Sequence, residues 1–482
     1  MLRYLSSIIR PNGGLVDIAR RTLLSASLGT LIAMVAFTAP LSTVNPIVAG
    51  LGAGVTGRTW ILSSMSIGLG AFLLTTGRLA DDYGRRRTFV AGALLLAAGA
   101  LVTALAQDAV VFVLARVVEG VGAAALIATG LGMLAATFPD PGRRAHATGV
   151  WGASLGAGIA VGPLLSSGLT LAHSWRDVYV VLVAAGVAVA MTARGCPESR
   201  TPYRARLDVL GVTLLALGTS AVLAGLAEGR QGWGRLFVVG LLVAGVVLLA
   251  GFVVAERHTD HPMLDLGLFR RPAFAAVSLA AAATGMGVIA VLSYLSGFLG
   301  VAYGRSAWAA AWLMLTWSAP SVVTALAARR LPEHWTGRAR MAAALTVIGI
   351  GLLLLGGISA GSGLARFVPG LLVAGVGSGF LNAALGRESV ASVPEGQGGL
   401  GSGANNTARY LGSALGVTIV SVVAAPSGAA TTGALVDGWN RAVLVTAAVS
   451  LVGALAVVLV GERAPAQAPE VENRSPQEVD AA

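Results

Sequence analysis

Apolar segments of about 18 residues or more recur along almost the whole chain, each long enough to cross roughly 30 Å of hydrocarbon as a helix. That pattern leaves few folds open. Of the 482 residues, 55% are hydrophobic and only 11% are charged, more apolar surface than a soluble core can hide. A membrane barrel would show alternating strands of about 10 residues instead. The sequence predicts an all-α integral membrane protein embedded in a lipid bilayer.

Fourteen transmembrane spans are predicted, near 22–45, 59–79, 88–107, 109–138, 145–171, 176–195, 208–226, 235–255, 273–300, 307–328, 340–360, 365–386, 399–424 and 440–460. All 33 basic residues are arginine. With both termini cytoplasmic, only Arg58, Arg176, Arg230, Arg235, Arg305, Arg366 and Arg441 fall outside, and Arg116 and Arg409 fall within spans. The remaining 24 (33 less seven and two) are cytoplasmic, as positive-inside orientation requires.

The same charges set limits on function. Without lysine there is no nucleotide-binding P-loop and no Schiff-base chemistry. The net charge of +11 borders apolar spans, so it reads as orientation and not as a nucleic-acid surface. One cysteine, Cys196, and five scattered histidines offer neither a disulfide nor a metal site. No cofactor is expected, and no enzyme either, since no nucleophile, base or metal group clusters at one face. Met1 to Arg21 is too basic and polar for a cleavable signal.

An internal repeat organises the chain. Arg78 opens RLADDYGRRR, and Arg330 opens RLPEHWTGRAR: in both, Arg-Leu, an acid, an aromatic and Gly-Arg-x-Arg follow in order. Pro139-Asp140 matches Pro394-Glu395, and Gly158 and Gly162 match Gly412 and Gly416, all at an offset of 252–255. The predicted organisation is a cytoplasmic segment over 1–21, a six-helix bundle over 22–195, and a loop with two inserted helices over 196–255. A cytoplasmic linker over 256–272, a second six-helix bundle over 273–460 and a disordered tail over 461–482 complete it.

GRLADDYGRRR at Gly77 to Arg87 resembles the G-x-x-x-D-x-x-G-R-R signature of the major facilitator superfamily, and fourteen spans resemble its drug:proton antiporter branch. RVVEGVGAA from Arg116, GIAVGP from Gly158, HPMLDLGLFRRPAF from His261 and GLGSGANNTARYLGSALG from Gly399 agree. The resemblance implies two halves rocking about a central cavity in a bacterial cytoplasmic membrane. Drug-like or antibiotic-like amphipathic compounds would leave in exchange for protons. Transport of a specific metabolite without proton coupling is the alternative. The partners expected are the small-molecule substrate, protons and lipid, for a chain acting as a monomer.

Asp81 is expected to begin a polar turn and to face the glycine-rich start of the thirteenth span, where helix-terminal N–H groups favour a carboxylate. With Gly77, Gly84, Arg85 and Arg86 it would form a cytoplasmic gate, or the loop only fixes topology. Glu119 and Arg116 stand three residues apart inside an apolar span, hence on one face. Burial disfavours the charged carboxylate and Arg116 favours it, which suits a proton-coupling pair; a static ion pair is the other reading. The family's usual acid in the first span is absent from FTAPLSTVNP at Phe37 to Pro46. Gly158, Gly162 and Pro163 form the antiporter helix motif, allowing close approach and a bend. Asn45, Tyr294, Trp312, Trp317, Asn382, Asn405, Asn406 and Arg409 are candidates for the cavity wall.

Overall fold

The structure, a computed structural model, describes residues 13–201, 208–229, 232–259, 262–330, 334–425 and 431–460. Arg230, His261, Glu333 and the tail expected over 461–482 lie outside them. The first half comprises α1 (Gly13–Thr38), α2 (Pro40–Gly50), α3 (Val55–Tyr83), α4 (Arg85–Leu105), α5 (Ala109–Thr137), α6 (Pro141–Ala172) and α7 (Asp177–Ala193). Next come α8 (Val209–Gly229) and α9 (Leu236–His258). The second half holds α10 (Pro272–Thr284), a π-helical segment (Gly285–Ile289), α11 (Ala290–Tyr303), α12 (Ala307–Ala327), α13 (Gly337–Leu354), α14 (Val368–Ala391), α15 (Gly398–Val423) and α16 (Thr432–Leu459). No strand occurs among the described residues.

Twelve helical stretches among the described residues are long and apolar enough to cross a membrane. Helices also stand at the other two expected positions, but α7 has only 17 residues and α15 opens on the polar, glycine-rich GGLGSGANNTARY. Short side chains cap several helix starts: Asp108 accepts from the N–H groups of Val110 and Val111, and Asp140 from Arg143. Such acceptors satisfy donors that a helix start otherwise leaves open.

Three boundaries differ from expectation. The first span starts at Gly13, inside the segment expected to be cytoplasmic, and breaks between Thr38 and Pro40 because a proline cannot donate to the previous turn. Asp81 does not begin a turn: α3 continues to Tyr83, so Asp81 sits in its last helical turn. The fourteenth span begins eight residues early, at Thr432, where Thr431 caps the helix by accepting from the Ala434 N–H.

Two buried apolar cores follow the sequence repeat, one drawn from residues 23–196 with Tyr410, the other from 276–457. The repeat is also visible in which backbones touch. A Cβ on Gly120 would collide with the Met65 carbonyl, and one on Gly375 with the Trp317 carbonyl, equivalent contacts at the same offset. Gly158 and Gly162 bring α6 against α1, and Gly412 and Gly416 bring α15 against α10 and the π segment. Close approach of this kind needs residues without a side chain.

Candidate functional site

Asp81 is fully buried at one end of the bundle. Its Oδ1 accepts from the Gly399 N–H at 3.1 Å, and its Oδ2 from the Leu400 N–H at 2.8 Å. These are two of the first three N–H donors of α15. Arg85, in the next helix, donates to Asp81 Oδ1 at 2.8 Å and to the Gly396 carbonyl at 2.5 Å, so one guanidinium ties α3, α4 and the entry to α15. Hydrogen bonds to charged groups contribute about 1.5–3 kcal/mol each, more than the 0.3–1 kcal/mol typical of a helix-dipole interaction. Directional bonding therefore dominates this contact. A Cβ on Gly77 would collide with the Gly399 carbonyl. Gly84 has a φ of +126° and would press any Cβ onto the Glu198 carboxylate, so glycine is required on both counts.

The loop after α7 braces this end in a way the motif does not announce. The N–H and Oγ1 of Thr201 both donate to the Asp81 carbonyl at 2.7 Å. Glu198 accepts from the Arg86 N–H at 3.0 Å, and Arg86 Nη1 donates to the Cys196 carbonyl. Asp82 pairs with Arg78 at 2.9 Å. Glu198 and Thr201 are thus parts of the site missed in the sequence, because a loop's partners depend on tertiary return and leave no local periodicity.

Arg116 and Glu119 face each other inside α5, 1% and 0% exposed. Arg116 Nη1 donates to Glu119 Oε2 at 2.6 Å, and Nη2 donates to the Ala36 carbonyl of α1 at 2.7 Å. Thr103 Oγ1 lies 2.5 Å from Glu119 Oε1 and 3.0 Å from the Gly99 carbonyl. One hydroxyl hydrogen cannot serve both acceptors fully. With Glu119 ionised, Thr103 donates to it; with Glu119 protonated, Glu119 can donate to Thr103, which turns to Gly99. The Thr103–Glu119 and Arg116–Glu119 bonds persist in either state.

Gly162 of α6 lies against Thr38, whose Oγ1 donates to the Met34 carbonyl at 2.8 Å, and Gly158 lies against Met34. Pro163 leaves α6 unbroken from Pro141 to Ala172, unlike Pro40 in the first span. Ser42 donates to the Pro163 carbonyl at 3.1 Å, and Ser166 to the Ala39 carbonyl at 2.9 Å. Hydroxyls thus bridge α6 to the break in the first span.

Two cavities flank that break, in the half of the bundle away from Asp81. One, of about 50 Å³, is walled by Phe37, Pro163, Ile289, Leu292, Met314 and Trp317 among others. The second, of about 120 Å³, meets Phe37, Ser66, Leu223, Leu226, Tyr410 and Ser413 among others. Both are smaller than the roughly 300 Å³ of the smallest pockets for drug-sized ligands. Of the expected wall residues only Trp317 borders either, with its Nε1 donating to Ser378. Trp312 is 51% exposed on the outer surface, edge-on to Trp308. Asn45 is exposed and accepts from Arg58. Tyr294 stacks on Phe298 and Trp439. Asn382 is buried where Gly152 of α6 meets α14. Asn405, Asn406 and Arg409 are buried on α15, with Asn406 Nδ2 donating to the Ser402 carbonyl. α8 supplies Leu223, Leu226 and Ala227, which were not expected there; a helix apolar all round does not declare its inner face.

The Major Facilitator Superfamily profile matches residues 26–417. The chain is 31% identical over 409 residues to the "Probable actinorhodin transporter" of Streptomyces coelicolor, covering 82% of this chain and 70% of that one. It is 31% identical over 431 residues to the "Puromycin resistance protein pur8" of Streptomyces alboniger, covering 86% of each. It is 30% identical to the "Drug efflux pump JefA" of Mycobacterium tuberculosis over 424 residues, 87% of this chain and 83% of the relative. Among solved structures, the human organic anion transporter MFSD10 (TETRAN) shares the fold with a TM-score of 0.64 at 18% identity, over 91% of this chain and 99% of that one. The chain is a multi-pass membrane protein and belongs to the Major Facilitator Superfamily.

Proposed function

We propose that the chain exports drug-like or antibiotic-like amphipathic compounds in exchange for protons by alternating access. Its setting would be a bacterial cytoplasmic membrane, with fourteen spans and both termini inside. The observation that carries this reading is the asymmetry of the bundle. Asp81 and Arg85 bond α3 and α4 to the start of α15 at one end, while apolar cavities with a few hydroxyls lie in the other half. A wall of that composition suits amphipathic cargo. Relatives named for antibiotic transport, antibiotic resistance and drug efflux support the same substrate class.

Proton coupling is assigned to Glu119. Its carboxyl can hold or release a proton within one hydrogen-bond network, and Arg116 connects that network to the Ala36 carbonyl. Phe37, the next residue, borders both cavities. A change at Glu119 would thus reach the cargo space through one arginine and one peptide unit. Of the described arginines, Arg58, Arg176, Arg235, Arg305, Arg366 and Arg441 would face outside, and the Asp81 end the cytoplasm. The test is a susceptibility and accumulation panel in a host lacking its own efflux pumps, with the proton gradient then collapsed. Reduced accumulation that disappears with the gradient supports the reading; unchanged accumulation of every compound refutes it.

A further inference from the structure

Arg409 is 2% exposed on α15, and neither its Nε nor its Nη2 has a hydrogen-bond partner. None of the ion pairs among the described residues includes it. One turn away, Asn405 is 1% exposed, and both its Oδ1 and Nδ2 are unpartnered too. Residues four apart share a face of a helix. A guanidinium keeps its proton in proteins, and a buried charge without a counter-charge is strongly unfavourable unless something else meets it. Arg116 shows the contrast, since Glu119 lies directly on it.

The surroundings show what could meet it. Tyr410 and Ser413, the next residue and the next turn after Arg409, border the larger cavity together with Ser66, Ser293 and Thr418. Arg409 therefore lies directly beside the cavity lining along α15, on its side toward Asp81. Its backbone is pinned from behind: a Cβ on Gly285 would collide with the Arg409 carbonyl. Gly285 opens the π-helical segment, a departure from regular helix that often accompanies functional sites.

We propose that Arg409, with Asn405 beside it, is the docking point for an anionic group of the cargo, a carboxylate or an ionised phenol. This rests on the export reading only in naming the anion's source. Arginine suits the role because its planar fork can engage both oxygens of a carboxylate. Asn405 adds a donor to the anion and an acceptor to a neighbouring hydroxyl. A fixed cation in the interior also offsets what an anion loses on leaving water. An inorganic anion such as chloride has the same charge, and the experiment separates the two.

The full chain, purified in lipid nanodiscs, is titrated with the fluorescent carboxylate dansylglycine and with its methyl ester. The wild type should bind the carboxylate more tightly by about tenfold or more, the range of a charge-assisted hydrogen bond. Arg409→Gln should remove that preference, and Arg409→Lys should keep part of it. Asn405→Asp, which sets a carboxylate one turn from the guanidinium, should abolish the preference; with Arg409→Lys it carries the test should Arg409→Gln not fold. Replacing chloride by fluoride, a strongly hydrated anion without a carboxylate, should leave the carboxylate preference unchanged. A wild type that binds both probes alike, a preference surviving Arg409→Gln, or loss of the preference without chloride would each overturn the proposal. Failure of the export reading would appear elsewhere, as absence of drug efflux from cells with the carboxylate preference still present.

Discussion

Arg116 Nη2 donates to the carbonyl of Ala36 at 2.7 Å, the acceptor whose helical donor Pro40 removes. In a regular helix the N–H of residue 40 would reach that carbonyl, and proline has none. Arg116 fills the gap from another helix while its Nη1 holds Glu119. The proline break, the buried arginine and the buried acid therefore act as one unit.

Pro40→Ala tests the unit from the backbone side. The restored N–H can satisfy Ala36 within the first span and compete with Arg116. Thermal stability should hold or rise, while efflux should fall several-fold. Unchanged efflux would separate the break in the first span from transport.

Arg116→Ala tests it from the charge side. Removing one partner of a buried pair costs about 3–5 kcal/mol, because the other charge is left uncompensated. Arg116→Ala should therefore melt markedly lower in detergent, and the double variant with Glu119→Gln should recover most of the loss. A double-mutant cycle measures the coupling directly; additivity of the two losses would mean that the pair does not interact.

Asp81→Asn should loosen the contact of α3 with the start of α15. An amide offers one oxygen where the carboxylate offers two, so either Gly399 or Leu400 loses its acceptor and Arg85 loses its counter-charge. The cost of one buried unsatisfied donor is about 1–3 kcal/mol. In a Cys196→Ser background, a cysteine at buried Ser402 should react with a thiol reagent at least several-fold faster once Asp81 is Asn. Equal rates would show that Asp81 does not hold this end shut.

The residues that were legible in the sequence were those whose chemistry conflicts with their surroundings. Asp81, Arg116 and Glu119 stood out as charges against or within apolar runs, and the glycine-rich opening of the thirteenth span marked uncovered helix N–H groups as a partner for Asp81. Residues whose chemistry suits a membrane anywhere were not legible. Trp312 is equally at home facing lipid or cargo, and the structure turns it outward. Leu223 and Leu226 belong to a helix without a polar face, so nothing local told that they border a cavity. Pro40 and Pro163 look alike in sequence, yet only the first marks a break between helices, a difference that arises from tertiary contacts such as Ser42 to Pro163.

The most direct test of the account is gradient-driven transport by Glu119→Gln in reconstituted vesicles, measured beside direct substrate binding. The amide keeps the shape and can still meet Arg116 and Thr103, but it cannot take up a proton. A proton moving down the membrane potential carries about 2.3 kcal/mol per 100 mV, usable only if a group inside the membrane binds it. The account predicts that Glu119→Gln binds substrate within about twofold of the wild type, under 0.5 kcal/mol, and no longer pumps against a concentration gradient. Pumping at the wild-type rate would contradict it.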